Sequence, residues 1–201
     1  MTFSGDGSGT EADPYEVETW HHLYDVRDDL YAHYVLMNDL TPADDGYDDH
    51  ASENANEGEG WEPIGDGDEF IGTFDGQGYE IEGLYIDRPE EDNVGMFRYV
   101  DGGEINGEIS NIGMIDVDVS GGSRVGGLVG RNIGTVENSY ATGNVSGEEE
   151  VGGLVGRNWD GTVENSYATG DVSGEGGIGG LVGTNTGTVE NSYATGNVSG
   201  E

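Results

Sequence analysis

Val151-Gly152-Gly153-Leu154-Val155-Gly156 and, six residues later, Val163-Glu164-Asn165-Ser166-Tyr167-Ala168-Thr169-Gly170 decide the fold. The string Gly-Gly-Leu-Val-Gly stands at 126–130, 152–156 and 179–183, and Asn-Ser-Tyr-Ala-Thr-Gly at 138–143, 165–170 and 191–196. Both series recur every 26 or 27 residues. A fixed period of this size marks a repeat architecture whose units bury an apolar face only by stacking on one another. Each unit holds three short runs of branched apolar residues and Tyr, separated by Gly, Asn and Asp, so each reads as three strands joined by tight corners.

Outward from these copies the echoes weaken. Val94-Gly95-Met96-Phe97 resembles the first string, and the stretches beginning at Ile81 and Ile109 resemble those at Val136, Val163 and Val189. The expectation is an all-β, right-handed parallel β-helix of about five coils over residues 71–201, with repeats of 26–28 residues and an open C-terminal end. Right-handed coiling is the default for parallel crossovers. A β-prism or propeller is the alternative, but propeller blades need about 40 residues. Residues 1–70 read as an N-terminal cap. Thr19 is placed to cap a helix over 20–30, with Trp20, Leu23, Val26 or Arg27, and Leu30 on one face, and a strand follows at 34–37. The acidic loop between 41 and 60 reads as a surface excursion.

In each coil, Val136, Val163 and Val189 are expected inward, in one column with Ile81 and Ile109. Glu137, Glu164 and Glu190 then face water, with Glu82 in phase. Alternation favours Ser and Ala inward and Tyr140, Tyr167 and Tyr193 outward as a contact stripe, though the opposite phase stays open. Trp159-Asp160 replaces a single Ile133 or Thr186 at one corner, which makes Trp159 a second candidate contact residue.

The chain has 201 residues, with 42 acids against six basic residues, all of them Arg, and a net charge of −36. A phosphate-backbone reader needs cations, so nucleic acid is excluded as a partner. No apolar run is long enough to span a bilayer. Such charge suits a folded protein in molar salt, where screening shortens to about 3 Å. Cysteine is absent.

No catalytic residue is assigned. The chain lacks a Gly-x-Ser-x-Gly elbow, a His-Glu-x-x-His helix and any Lys for Schiff-base chemistry. A carbohydrate-active β-helix enzyme is therefore the weakest reading. Asp44, Asp45, Asp48 and Asp49, with Asp66 and Asp68, offer oxygen ligands for Ca²⁺ on short turns, without the full EF-hand spacing. Asn144 and Asn197 open glycosylation sequons.

The alternating strings resemble GLUG-motif repeats, most strongly over 125–200, and residues 15–86, with Phe74-Asp75-Gly76-Gln77-Gly78, resemble the segment that often precedes them. Arg98 departs from the pattern, standing where later units have Gly130, Gly156 and Gly183, and a loop is inserted at 100–108. GLUG repeats occur in large secreted or surface-anchored proteins, including adhesin-like ones. The resemblance implies a non-enzymatic scaffold or adhesion module, extracellular or at the cell surface, meeting a protein or glycan there. It implies no active site. The alternative is a filament or virion subunit that self-associates end to end. The absence of a leader at the N-terminus and the bare last coil point to a longer parent protein.

Overall fold

The computed structural model describes residues 3–65, 67–103 and 107–200. Among the described residues three larger parallel sheets and a two-stranded one, Ser123–Gly126 with Glu149–Gly152, wind into a solenoid. The first has seven strands in the order Tyr15–Val17, His33–Leu36, Thr73–Asp75, Glu108–Ser110, Thr135–Glu137, Thr162–Glu164 and Thr188–Glu190. The second stacks Phe97–Val100, Val129–Asn132, Val155–Asn158 and Val182–Asn185. In the third, Gly113–Gly121 joins Glu80–Glu82 and Tyr85–Arg88 on one side to Tyr140–Ser146 on the other. Tyr167–Ala168 and Val172–Gly174 continue that sheet, followed by Tyr193–Ala194 and Val198–Gly200.

Identical residues stack on one another because the repeat length matches one turn of chain. Val136 pairs with Val163 and Val163 with Val189. The column they extend continues downward through Ile109 to Phe74, not to Ile81. Ile81 lies in the third sheet, in register with Met114 and through it with Ala141. The insertion at 100–108 lengthens one interval of the repeat, so equal spacing chooses the wrong strand below it. Glu82 moves with Ile81 and pairs with Ile115; Ser110 and Asp75 sit beneath the glutamate row instead.

The column tapers. Trp20, Tyr34, Trp61, Phe70, Phe74 and Phe97 fill the early turns, whereas Val, Leu, Ala and Ser fill the later ones, all fully or nearly fully buried. Val189, in the outermost described strand of the first sheet, is 37% exposed.

The first 70 residues supply rungs as well as a cover. Tyr34 pairs with Phe74, so the sheet passes position 70 without a break. Thr19 Oγ1 accepts from the His22 amide at 3.1 Å and starts a helix at Trp20–Asp25. That helix ends earlier than its apolar spacing predicts, passing into a 3-10 turn at Val26–Asp28. Asp28 and Asp29 disfavour a helix C-terminus, and Arg27 Nε takes the Tyr24 carbonyl at 2.7 Å. The strand after it is His33–Leu36. The acidic loop is packed, contrary to its polar composition. It forms a short helix at Tyr47–His50, buries Ala51 and Ala55, and ties the Tyr47 hydroxyl to the Gly83 carbonyl at 2.9 Å.

Candidate functional site

The third sheet resolves the tyrosine phase. Ser139, Ser166, Ala141 and Ala168 are buried, so Tyr140, Tyr167 and Tyr193 face outward. Tyr140 and Tyr167 stack with centroids 4.7 Å apart at 3°, and Tyr167 and Tyr193 at 5.2 Å and 7°. Ser is tolerated inside because its hydroxyl finds the backbone: Ser139 Oγ donates to Glu137 O and Ser166 Oγ to Glu164 O, each at 2.7 Å. At the lower end the stripe is anchored. Tyr140 is in register with Gly113, which pairs with Glu80, and the Tyr140 hydroxyl donates to the Glu80 carboxylate. A side chain at Gly113 would lie 2.5 Å from the phenol, so glycine is what lets the ring reach across that rung. Burial, then the bond to Glu80, pushes the Tyr140 phenol well above its ordinary value.

The second sheet carries an outward row of a different kind: Tyr99, Arg131, Arg157 and Thr184 in register. The Arg131 guanidinium lies 4.8 Å from the Tyr99 ring centre and 4.4 Å from that of Trp159. Arg157 lies 4.3 Å from the same indole. Trp159 sits at the corner beyond and is 40% exposed. Inside this sheet runs a ladder that sequence reasoning missed. Asn132 Nδ2 donates to Asn158 Oδ1, and Asn158 Nδ2 to Asn185 Oδ1, both at 2.8 Å. The signal was available, since an Asn follows each Gly-Gly-Leu-Val-Gly string at a constant distance.

Of the proposed calcium ligands, Asp44, Asp45, Asp48 and Asp49 line one open hollow of about 440 Å³, and each also has contacts elsewhere. Asp44 Oδ2 accepts from the Thr41 amide and hydroxyl at 2.7 and 2.8 Å. Asp45 and Asp49 lie 3.9 and 3.7 Å from His21 Nε2, whose Nδ1 meets His50 Nε2 at 2.8 Å. Asp48 lines an open hollow of about 420 Å³ with Asp116 and Asp118. Asp66 lies outside the described residues, and Asp68 is not brought to the others. Among the described residues no three His, Asp or Glu side chains converge as a metal site. Asn144 and Asn197 are both exposed, but only Asn197 lies between strands: Asn144 is within Tyr140–Ser146, in register with Asp118, and Asn197 Nδ2 donates to Asp171 Oδ1 at 3.0 Å.

The GLUG motif matches residues 121–146, 147–173 and 174–199, one match for each of the last three coils. This chain carries three GLUG repeats. The chain is 37% identical over 142 residues to a protein of Evansella cellulosilytica named as a Gly-rich membrane protein. It is 34% identical over 146 residues to halomucin of Haloquadratum walsbyi. These alignments cover 68% and 69% of the chain but only 15% and 2% of those relatives. A solved structure from Bacteroides ovatus, titled as an immunoglobulin A1 protease, shares the fold. It has a TM-score of 0.65 at 22% identity, covering 96% of this chain and 69% of that one. Among the described residues no helix is long and apolar enough to cross a membrane.

The motif's residue choices follow from the coil. In each GLUG repeat the Leu and Val of the first string go inward, the Asn of the second turns the corner in a left-handed conformation, and Ser and Ala flank an outward Tyr. Asn138, Asn165 and Asn191 have φ of 49°, 49° and 50°, a region Asn tolerates better than most residues. Gly170 stands where the preceding coil passes closest: a Cβ there would lie 1.4 Å from the Gly143 carbonyl oxygen.

Proposed function

We propose that this chain is a non-catalytic β-solenoid module of a cell-surface protein, adapted to high salt and adhesive through its tyrosine stripe. The observation that carries the reading is the outward stack of Tyr140, Tyr167 and Tyr193. Three aligned phenols on a rigid sheet offer flat apolar area and hydroxyls at little conformational cost, which suits a glycan or protein surface. The names of the relatives, a membrane protein and a mucin, both much longer than this chain, support a place at the cell boundary. The excess of 36 negative charges keeps such a module hydrated in brine.

The test is a binding assay in molar salt with beads bearing the chain and cell-envelope material from a haloarchaeon. Retention that falls when Tyr167 and Tyr193 are both replaced by Ser, with circular dichroism unchanged, supports the reading. Retention equal to that of the unmodified chain removes the stripe as the adhesive surface.

A further inference from the structure

Six guanidiniums share 42 carboxylates in this chain. Arg27 pairs with Glu62, Arg88 with Glu59 and Glu91, Arg98 with Glu91, and both Arg124 and Arg157 with Glu150. Arg131 breaks the pattern. Among the described residues no carboxylate lies within ion-pair distance of it; its Nε, like that of Arg157, is buried without a hydrogen-bond partner. It is flanked instead by Tyr99 and Trp159. A guanidinium without a carboxylate partner, held beside two aromatic rings, is well shaped to receive an anion on its terminal nitrogens.

We propose that Arg131, Trp159, Tyr99 and Arg157 form a binding subsite for an acidic sugar of the uronate class. The carboxylate meets the Arg131 guanidinium, and the apolar C–H face of the sugar ring lies on the exposed indole of Trp159. A bare protein carboxylate fits less well. The chain's own surface offers such groups everywhere and none fills the place, and a carboxylate alone has no use for the two rings. This subsite is on the second sheet and is independent of the tyrosine stripe on the third.

Substitutions that the fold already accepts are at hand. Thr184 occupies the Arg131 row two coils later. Thr186 occupies the corner of Trp159: its amide bonds Asn158 O at 2.9 Å as the Trp159 amide bonds Asn132 O at 2.8 Å. Indole emission is an apt reporter, since Trp20 and Trp61 are fully buried. At about 1 M salt, where long-range repulsion is screened, oligogalacturonate is expected to quench emission saturably, and neutral oligogalactose is not. Calorimetry should find affinity reduced about tenfold or more in both Arg131→Thr and Trp159→Thr, the loss of one charge-assisted contact or one stacking face. Tyr193→Ser should leave it unchanged, which separates this subsite from the tyrosine reading. Equal binding of acidic and neutral sugars, wild-type affinity in Arg131→Thr, or a response to poly-glutamate but not to oligogalacturonate would each overturn the assignment, the last in favour of a protein partner.

Discussion

Replacing Glu164 by Gln should stabilise the solenoid, and by an amount that salt removes. Glu164 is the middle of a row, in register with Glu137 below and Glu190 above. Neighbouring rungs lie about 4.8 Å apart, so each pair of carboxylates interacts across roughly 5 Å. In a water-like medium that is about 0.8 kcal/mol per pair before screening. With a Debye length of about 10 Å at 0.1 M salt, two neighbours together cost Glu164 about 1 kcal/mol; at 1 M, where the length is about 3 Å, the cost falls to about 0.3 kcal/mol. The size agrees with the roughly 0.2–1 kcal/mol expected of like charges across strands. Gln keeps the oxygen that accepts from Asn165 Nδ2 at 3.2 Å, so the change isolates charge. Urea titration at two salt concentrations reads the difference directly, and the salt needed for half-folding should drop. A gain of equal size at both salts, or a loss, would refute the electrostatic reading of the row.

Asn158→Leu leaves Asn132 Nδ2 and Asn185 Oδ1 without their ladder partner and should cost about 2–4 kcal/mol, read as a lower urea midpoint. Gly170→Ala drives a methyl into the Gly143 carbonyl and should cost about 3 kcal/mol or more, with loss of the cooperative transition as the extreme result. Two groups titrate with opposite signs. Burial, then the charges of Glu108, Glu164 and Asp75, raises the Glu137 carboxyl. Its contribution is therefore present below the ordinary carboxylate value of 4.5 and is lost as pH rises through the raised one. Burial, then His21, lowers the His50 imidazole, so its contribution is present above 6.5 and is lost as pH falls towards the lowered value. Thermal midpoints at fixed molar salt should show both slopes, the first removed by Glu137→Gln and the second by His50→Gln.

What the sequence disclosed depended on whether near-identical copies were present. For residues 121–199 the period fixed the strands, the glutamate row and the asparagine corners, because each copy checks the next. Below residue 110 there is one copy of everything, and the insertion at 100–108 shifted the frame from Phe74 to Ile81. Composition misled at the loop of residues 41–60, where a polar string hides Ala51, Ala55 and Tyr47 at the spacing needed to cover the cap. The tyrosine phase was open because hydrophobicity favours Tyr inside. Burial and hydrogen bonding settle it: Ser139, Ala141, Ser166 and Ala168 fill the late coils, and the backbone satisfies the Ser hydroxyls there.

Arg131 shows the boundary most clearly. Its spacing from Arg157 was visible, and so was Trp159 as an extra residue at a corner. Whether an arginine is paired depends on which of 42 carboxylates come near it, and those lie on different turns of the chain. Glu150 draws both Arg124, on the strand Ser123–Gly126, and Arg157, one coil above Arg131 in the row, and so leaves the guanidinium between Tyr99 and Trp159 to the aromatic rings. If Glu150 is what sets that arrangement, Glu150→Gln should free Arg157 beside Arg131 and tighten binding of an acidic sugar rather than weaken it. Unchanged or weaker binding in that variant would mean that Arg157 contributes nothing to the anion and that Arg131 acts with the two rings alone.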